Sequence, residues 1–171
     1  MSDLRALYQE TILDHGRRPR NFGSLEHTTH EGEGYNPLCG DKVHVYLQVE
    51  DDVVRNISFE GAGCAISTSS ASLMTEAVKG KSLDQVQRLF ERVHAVMTGS
   101  DSSGSHGHGG EGALGGASRN RATEGEQVPK LGKLVVFEGV RQYPLRVKCA
   151  TLAWHTLTNA LESRDEVAKT E

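Results

Sequence analysis

Residues 39–64 read CGDKVHVYLQVEDDVVRNISFEGAGC and contain two runs in which apolar and polar residues alternate. The apolar positions share one face in each run: Val43, Val45, Leu47 and Val49 in the first, and Val53, Ile57 and Phe59 in the second. Strict alternation is typical of a half-buried β-strand. The acidic segment at 50–52 separates the runs and predicts a turn, so we expect two antiparallel strands.

This predicted hairpin has consequences for the residues at its two ends. In an antiparallel pair, the start of one strand lies beside the end of the other. Cys39 and Asp41 precede the first strand, and Cys64 follows the second. We therefore expect two thiols and one carboxylate to meet at the same edge of the sheet.

The chain contains three cysteines: Cys39, Cys64 and Cys149. The odd number and the absence of a CxxC pair exclude a complete set of intramolecular disulfides and favour ligands or nucleophiles. Asp41 supplies the fourth donor that tetrahedral zinc needs, and a carboxylate makes such a site less locked than four thiolates would. Cys39 lies on a loop flanked by glycine and proline, so we expect it to be the catalytic nucleophile released from the metal.

The remaining sequence predicts helices around this hairpin. Apolar periodicity and capping signals indicate helices at about 4–15, 67–79 and 83–96, and a long C-terminal helix from Pro144 with Cys149 near its start. Trp154 is expected in the core. Residues 16–38 predict an irregular loop. A flexible Gly/Ser/His-rich insertion is expected at about 99–127. Residues 131–140 predict an apolar element of undecided type. The prediction is a single α+β domain spanning 1–171.

Composition narrows the classes of function. A formal net charge of -4 leaves no basic surface for nucleic acid. The N-terminal residues lack a signal-peptide pattern, and no apolar run approaches the length of a membrane span. We therefore expect a cytoplasmic protein without a membrane or nucleic-acid partner, in a compartment where thiols stay reduced.

Three segments of the chain resemble the signature motifs of one family. They are NPLCGD at 36–41, GAGCAIS at 61–67 and RVKCATLAW at 146–154. With LYQETILDH at 7–15, they are similar to the IscU/NifU-N-like superfamily and to its SufU branch in particular. The resemblance covers nearly all of the chain outside 99–127.

The resemblance implies a small antiparallel sheet of about three strands packed by helices, and zinc bound by Cys39, Asp41, Cys64 and Cys149. It also implies a zinc-dependent sulfurtransferase. Such proteins accept persulfide sulfur from a pyridoxal-phosphate-dependent cysteine desulfurase of the SufS type and pass it toward a downstream iron–sulfur scaffold. The acceptor cysteine of the family corresponds to Cys39.

Two other functions stay open. The scaffold branch typically has a histidine before its last cysteine, whereas this chain has Lys148, and a protonated lysine is a poor ligand. Lys148 thus counts against a scaffold that carries an iron–sulfur cluster, which is the first alternative function. A zinc-stabilised interaction module is the second. Arg146 and Lys148 flank Cys149 and could steer an anionic persulfide or screen the negative charge of the site, or they could simply form a solvated helix start. His106 and His108 could bind a metal or belong to a linker.

Overall fold

The computed structural model of the protein describes residues 2–99, 130–162 and 168–169. The helices are α1 (Ser2–Arg17), α2 (Ala65–Val78), α3 (Leu83–Thr98) and α4 (Pro144–Leu161), with a 3₁₀ helix at Gly132–Gln142. The strands are β1 (His30–Asn36), β2 (Asp41–Glu50), β3 (Val53–Ala62) and β4 (Ala168–Lys169). They form one sheet in the order β3-β2-β1-β4, in which β1, β2 and β3 are antiparallel and β4 runs parallel to β1. The predicted α+β class is confirmed.

The predicted hairpin is formed by β2 and β3, with Val45 opposite Phe59. Asp51 and Asp52 both have positive φ, at 53° and 58°, as a tight type I′ turn requires. One predicted position was wrong: the buried residue near this turn is Val54, whereas Val53 is only half-buried. A bulge at Gln48 and Val49 shifts the register there, so the simple alternation breaks.

The prediction of a loop over 16–38 was also wrong in part, because it contains β1. The sequence HEGEGYN lacks the β-branched and apolar residues that normally indicate a strand. Its glycines are required by packing: a Cβ atom at Gly34 would collide with the Thr156 hydroxyl, and one at Gly32 would lie 3.0 Å from Ala160 Cβ. Helix α4 therefore packs directly on the backbone of β1.

Helices α2 and α4 pack on one face of the sheet. Helix α2 is unusual in burying many small hydroxyl residues: Ser67, Ser69, Ser70, Ser72 and Thr75. Ser70 Oγ donates a hydrogen bond to Ala150 O at 2.5 Å, which ties α2 to α4. Trp154 of α4 is buried in the core as predicted.

The other elements complete the core on the far side of these helices. Helix α3 begins with a capping box of Ser82 and Gln85, and the apolar segment of undecided type is the 3₁₀ helix. Helix α1 begins and ends close to the prediction, although Leu7, one of its apolar residues, is exposed. Residues 100–127 of the predicted insertion lie outside the described residues. None of the described helices is long and apolar enough to cross a membrane.

Candidate metal centre

Cys39 lies in the turn that joins β1 to β2. Asn36 and Asp41 are the last paired residues of the two strands, and residues 37–40 connect them. The buried Asn36 closes this turn, because its Oδ1 accepts a hydrogen bond from the Leu38 N–H at 3.1 Å and its backbone O accepts one from the Gly40 N–H at 2.8 Å. Gly40 has a φ of 74°, a conformation that glycine adopts without strain. The turn leaves the Cys39 side chain exposed.

Asp41 begins β2 directly behind this turn and is 1% exposed. Its Oδ1 accepts a hydrogen bond from the backbone N–H of Cys64 at 3.0 Å, and its Oδ2 lies 3.9 Å from Cys64 Sγ. Gly63 permits this approach, since a Cβ atom there would lie 2.7 Å from Asp41 Oδ1. One carboxylate oxygen therefore holds the chain that enters α2, while the other faces sulfur.

Cys64 is the N-cap of α2 and so lies at the N-terminus of that helix. Its half-buried Sγ accepts a hydrogen bond from the Ser67 N–H at 3.5 Å. The free N–H groups and the dipole at a helix N-terminus stabilise a thiolate relative to a thiol. The position therefore suits a sulfur that acts as an anion.

Cys149 lies in α4 and is 0% exposed. Its Sγ is 3.5 Å from Cys39 Sγ, and Asn36 Nδ2 donates to it at 3.8 Å. The hydrogen bond from Ser70 to Ala150, the next residue along the chain, fixes this part of α4 against α2. The packing of two helices thus determines where the Cys149 sulfur lies.

Single donor atoms of Cys39, Asp41 and Cys149 all lie within 4.8 Å of one another, which is close enough to hold a metal ion. Cys64 is outside this group but beside it, through its contact with Asp41. Burial raises the pKa of the Cys149 thiol strongly, and hydrogen bonds with Asp41 and Cys39 and the charge of Cys64 raise that pKa further. Without a cation, this sulfur would stay protonated at neutral pH.

The donor set agrees with a dication at this place. A buried carboxylate is costly unless a positive charge or hydrogen bonds compensate it, and Asp41 accepts one backbone hydrogen bond, from the Cys64 N–H. Among the described residues, no lysine, arginine or histidine forms a salt bridge with Asp41. Thiolate sulfur with one carboxylate oxygen is a ligand set that tetrahedral zinc accepts.

The other residues considered from the sequence lie around this centre or outside the described residues. Arg146 is exposed and lines a groove shared with Tyr8 and Tyr143, whereas Lys148 is half-buried. His106 and His108 lie outside the described residues.

Two residues of the centre were missed in the sequence: Asn36, which contacts Cys149, and Gly63, which makes room for Asp41. The pair Asn36 and Pro37 is a turn signal, and it could have indicated the side-chain hydrogen bond that closes the turn. The partner of its amide nitrogen lies 113 positions away in sequence, so no local pattern could have revealed that contact.

Comparison with known proteins then relates this arrangement to a family. A family model described as the NifU-like N terminal domain matches residues 7–110. The chain belongs to this family. The matched segment includes Cys39, Asp41 and Cys64, whereas Cys149 lies beyond it.

Relatives of this NifU-N-like chain carry two kinds of name. An iron–sulfur cluster assembly scaffold protein IscU from Thermotoga maritima is 35% identical and covers 92% of this chain and 94% of its own. A zinc-dependent sulfurtransferase SufU from Bacillus subtilis is 30% identical, with coverage of 96% and 95%. Among solved structures, FiSufU from Fervidobacterium islandicum AW-1, described as an iron–sulfur cluster assembly scaffold protein for the SUF system, gives a TM-score of 0.69 at 28% identity, with coverage of 92% and 98%. The predicted family and fold are confirmed.

Proposed function

We propose that this protein is a zinc-dependent sulfurtransferase of iron–sulfur cluster assembly. In this role Cys39 accepts persulfide sulfur from a pyridoxal-phosphate-dependent cysteine desulfurase of the SufS type and passes it to a downstream scaffold. The observation that carries the proposal is the contrast in burial within the donor group: Cys39 is exposed, while Asp41 and Cys149 are buried. A partner can therefore reach one sulfur of the group without disturbing the other two donors.

Zinc is the metal that the donors support best, with Cys39, Asp41, Cys64 and Cys149 as its ligands. The named function of the Bacillus subtilis relative is zinc-dependent, and its similarity extends over almost the whole chain. When bound, zinc keeps cysteine sulfur deprotonated near neutral pH and so provides a thiolate. The chain itself contributes the buried Asp41 and Cys149, which would keep hold of the ion while Cys39 reacts.

The transfer step requires no external oxidant or reductant. Cys39 Sγ attacks the terminal sulfur of the desulfurase persulfide and forms a new S–S bond. The S–S bond of the desulfurase breaks at the same time, and its cysteine leaves as a thiolate that takes up a proton. One sulfane sulfur moves between two cysteines, so the number of S–S bonds and the oxidation states balance.

The proposal is tested by adding the zinc-loaded protein to a SufS-type desulfurase and measuring sulfide release from cysteine. Cys39→Ala should abolish the stimulation, and mass spectrometry should find one extra sulfur atom on Cys39 of the unaltered protein. Leu13→Ala is a matched control, because it also truncates an exposed side chain but lies on α1. Full stimulation by Cys39→Ala would refute the proposal.

A cluster scaffold is the second candidate, favoured by the Thermotoga maritima relative, which is 35% identical and is named as one. A scaffold would contain iron and sulfide after anaerobic purification and would absorb visible light. The sulfurtransferase would contain zinc and be colourless. A zinc-stabilised interaction module would also contain zinc, but none of its cysteines would ever carry a persulfide.

A further inference from the structure

The three sulfur atoms of the candidate metal centre differ in the N–H groups that reach them. Cys64 Sγ accepts the Ser67 N–H at 3.5 Å, and Cys149 Sγ faces the Asn36 amide nitrogen at 3.8 Å. Within the described residues, Cys39 Sγ has Cys149 Sγ as its polar partner and no N–H donor. Among the residues that the structure describes, the exposed sulfur is therefore also the one that receives no N–H donor.

The orientation of the Asn36 amide follows from its two contacts. The backbone N–H of Leu38 can only donate, so the side-chain atom that it meets at 3.1 Å must be the carbonyl Oδ1. The NH₂ group is then on the side that faces Cys149. Because Asn36 is 0% exposed, water does not compete for these contacts.

A hydrogen bond to a thiolate stabilises the charged form and lowers the basicity of the sulfur. Nucleophilicity falls together with basicity. Outer partners of metal ligands act in this way and also hold the ligands in place. The Asn36 amide should therefore make the Cys149 sulfur a weaker nucleophile, while the same side chain fixes the turn that exposes Cys39.

We propose that Asn36 is a positioning residue that directs sulfur chemistry to Cys39, by closing the Cys39 turn with its Oδ1 and donating from its Nδ2 to the Cys149 sulfur. This inference rests on the proposed function only in naming Cys39 as the acceptor. The hydrogen bond itself is independent of that function. It can be tested without a desulfurase.

The first test uses the unaltered protein loaded with ¹¹³Cd²⁺ in place of zinc. A hydrogen bond from Asn36 to a cadmium-bound sulfur transmits scalar coupling from the metal to the amide proton. NMR should therefore detect ¹¹³Cd coupling at the Asn36 side-chain NH₂ group and not at that of Asn56. Absence of coupling at Asn36 would overturn the proposal. A desulfurase assay that failed despite this coupling would count against the function alone.

The second test uses Asn36→Asp, which keeps an oxygen for the Leu38 N–H but removes the donor to Cys149. Asn56→Asp is the matched control, because Asn56 Oδ1 also accepts a neighbouring backbone N–H, from Ile57 at 3.0 Å, and lies on β3. In Co²⁺-loaded protein, loss of the donor should shift the thiolate-to-cobalt charge-transfer band to lower energy.

Iodoacetamide labelling of the same variants, loaded with zinc, measures how the reaction divides between the Cys39 and Cys149 sulfurs. Asn36→Asp should increase the share of label on Cys149 relative to Cys39, and Asn56→Asp should leave that share unchanged. An unshifted cobalt band together with an unchanged share would overturn the proposal. If Asn36→Asp does not fold, the cadmium coupling in the unaltered protein decides the question.

Discussion

The Cys39 turn and the Cys149 segment of α4 bring sulfur to within 3.5 Å of each other by different means. The turn is closed by local hydrogen bonds that Asn36 accepts from the Leu38 and Gly40 N–H groups, and it keeps its cysteine exposed. Cys149 is fixed by the packing of α4 against the sheet and α2, and it is fully buried. The difference separates reactivity from stability: one sulfur can change partners, while the other belongs to the core.

The largest expected effect tests this difference by replacing each sulfur with oxygen in metal-free protein. Cys149→Ser places a hydroxyl in a buried site and should reduce the free energy of unfolding by roughly 1–3 kcal/mol. Cys39→Ser changes an exposed turn and should stay within about 0.5 kcal/mol of the unaltered protein. Urea unfolding of both variants gives the comparison. An equal loss in the free energy of unfolding for both variants would show that the Cys39 turn and the Cys149 segment contribute equally to stability.

A smaller effect concerns the carboxylate that lies between the two regions. Gly63→Ala should push Asp41 away from the Cys64 N–H, because the added Cβ would lie 2.7 Å from Asp41 Oδ1. We expect metal affinity to fall by about 10- to 100-fold, as when an outer partner of a ligand is lost. Competition with a zinc chelator measures this.

Gly139→Ala is the control for that substitution, since a Cβ atom at Gly139, in the 3₁₀ helix, meets nothing within 4 Å. It should bind metal like the unaltered protein. Unchanged affinity in Gly63→Ala would mean that the close approach of Asp41 to Cys64 does not support the site.

The smallest expected effect is on pH dependence and concerns the contact between α1 and α2. His15 Nδ1 meets Ser72 Oγ at 2.7 Å, and burial, followed by the charge of Arg20, lowers the pKa of His15. A lowered pKa in the folded state means that the unfolded chain binds the proton more readily. Stability should therefore be complete above about pH 6.5, the ordinary histidine pKa, and should decrease as pH falls toward the lower folded pKa.

His15→Gln should flatten that part of the stability curve, measured by unfolding of metal-free protein at a series of pH values. His27→Gln is the control, because His27 is exposed. The Cys39 turn should not respond, so its alkylation rate relative to a free thiol should be the same in both variants. If the stability of His15→Gln depended on pH as steeply as that of the unaltered protein, another titrating group would be responsible for the pH dependence.

Much of the fold could be predicted because its signals are local. The alternation in β2, the capping box of α3 and Pro144 at the start of α4 each occupy a few neighbouring residues. Strand β1 could not be predicted, since its glycines are selected by contact with Thr156 and Ala160, which are remote in sequence.

The candidate site divides in the same way. The hairpin explains why Cys39, Asp41 and Cys64 come near one another, because strand pairing converts sequence order into position. The distance from Cys39 to Cys149 depends on how α4 packs, and the sequence near Cys149 does not predict that packing. The ligand roles of all four residues stay a prediction that metal analysis can test.

Strand β4 pairs with β1 at Gly34 and Tyr35, on the side opposite β2. Without it, β1 would be an edge strand whose glycine-rich backbone offers free N–H and C=O groups to other chains. These two short pairings therefore protect the protein against intermolecular strand addition next to its most exposed thiol. Shortening the chain before residue 168 should promote self-association at high concentration, even where metal binding is intact.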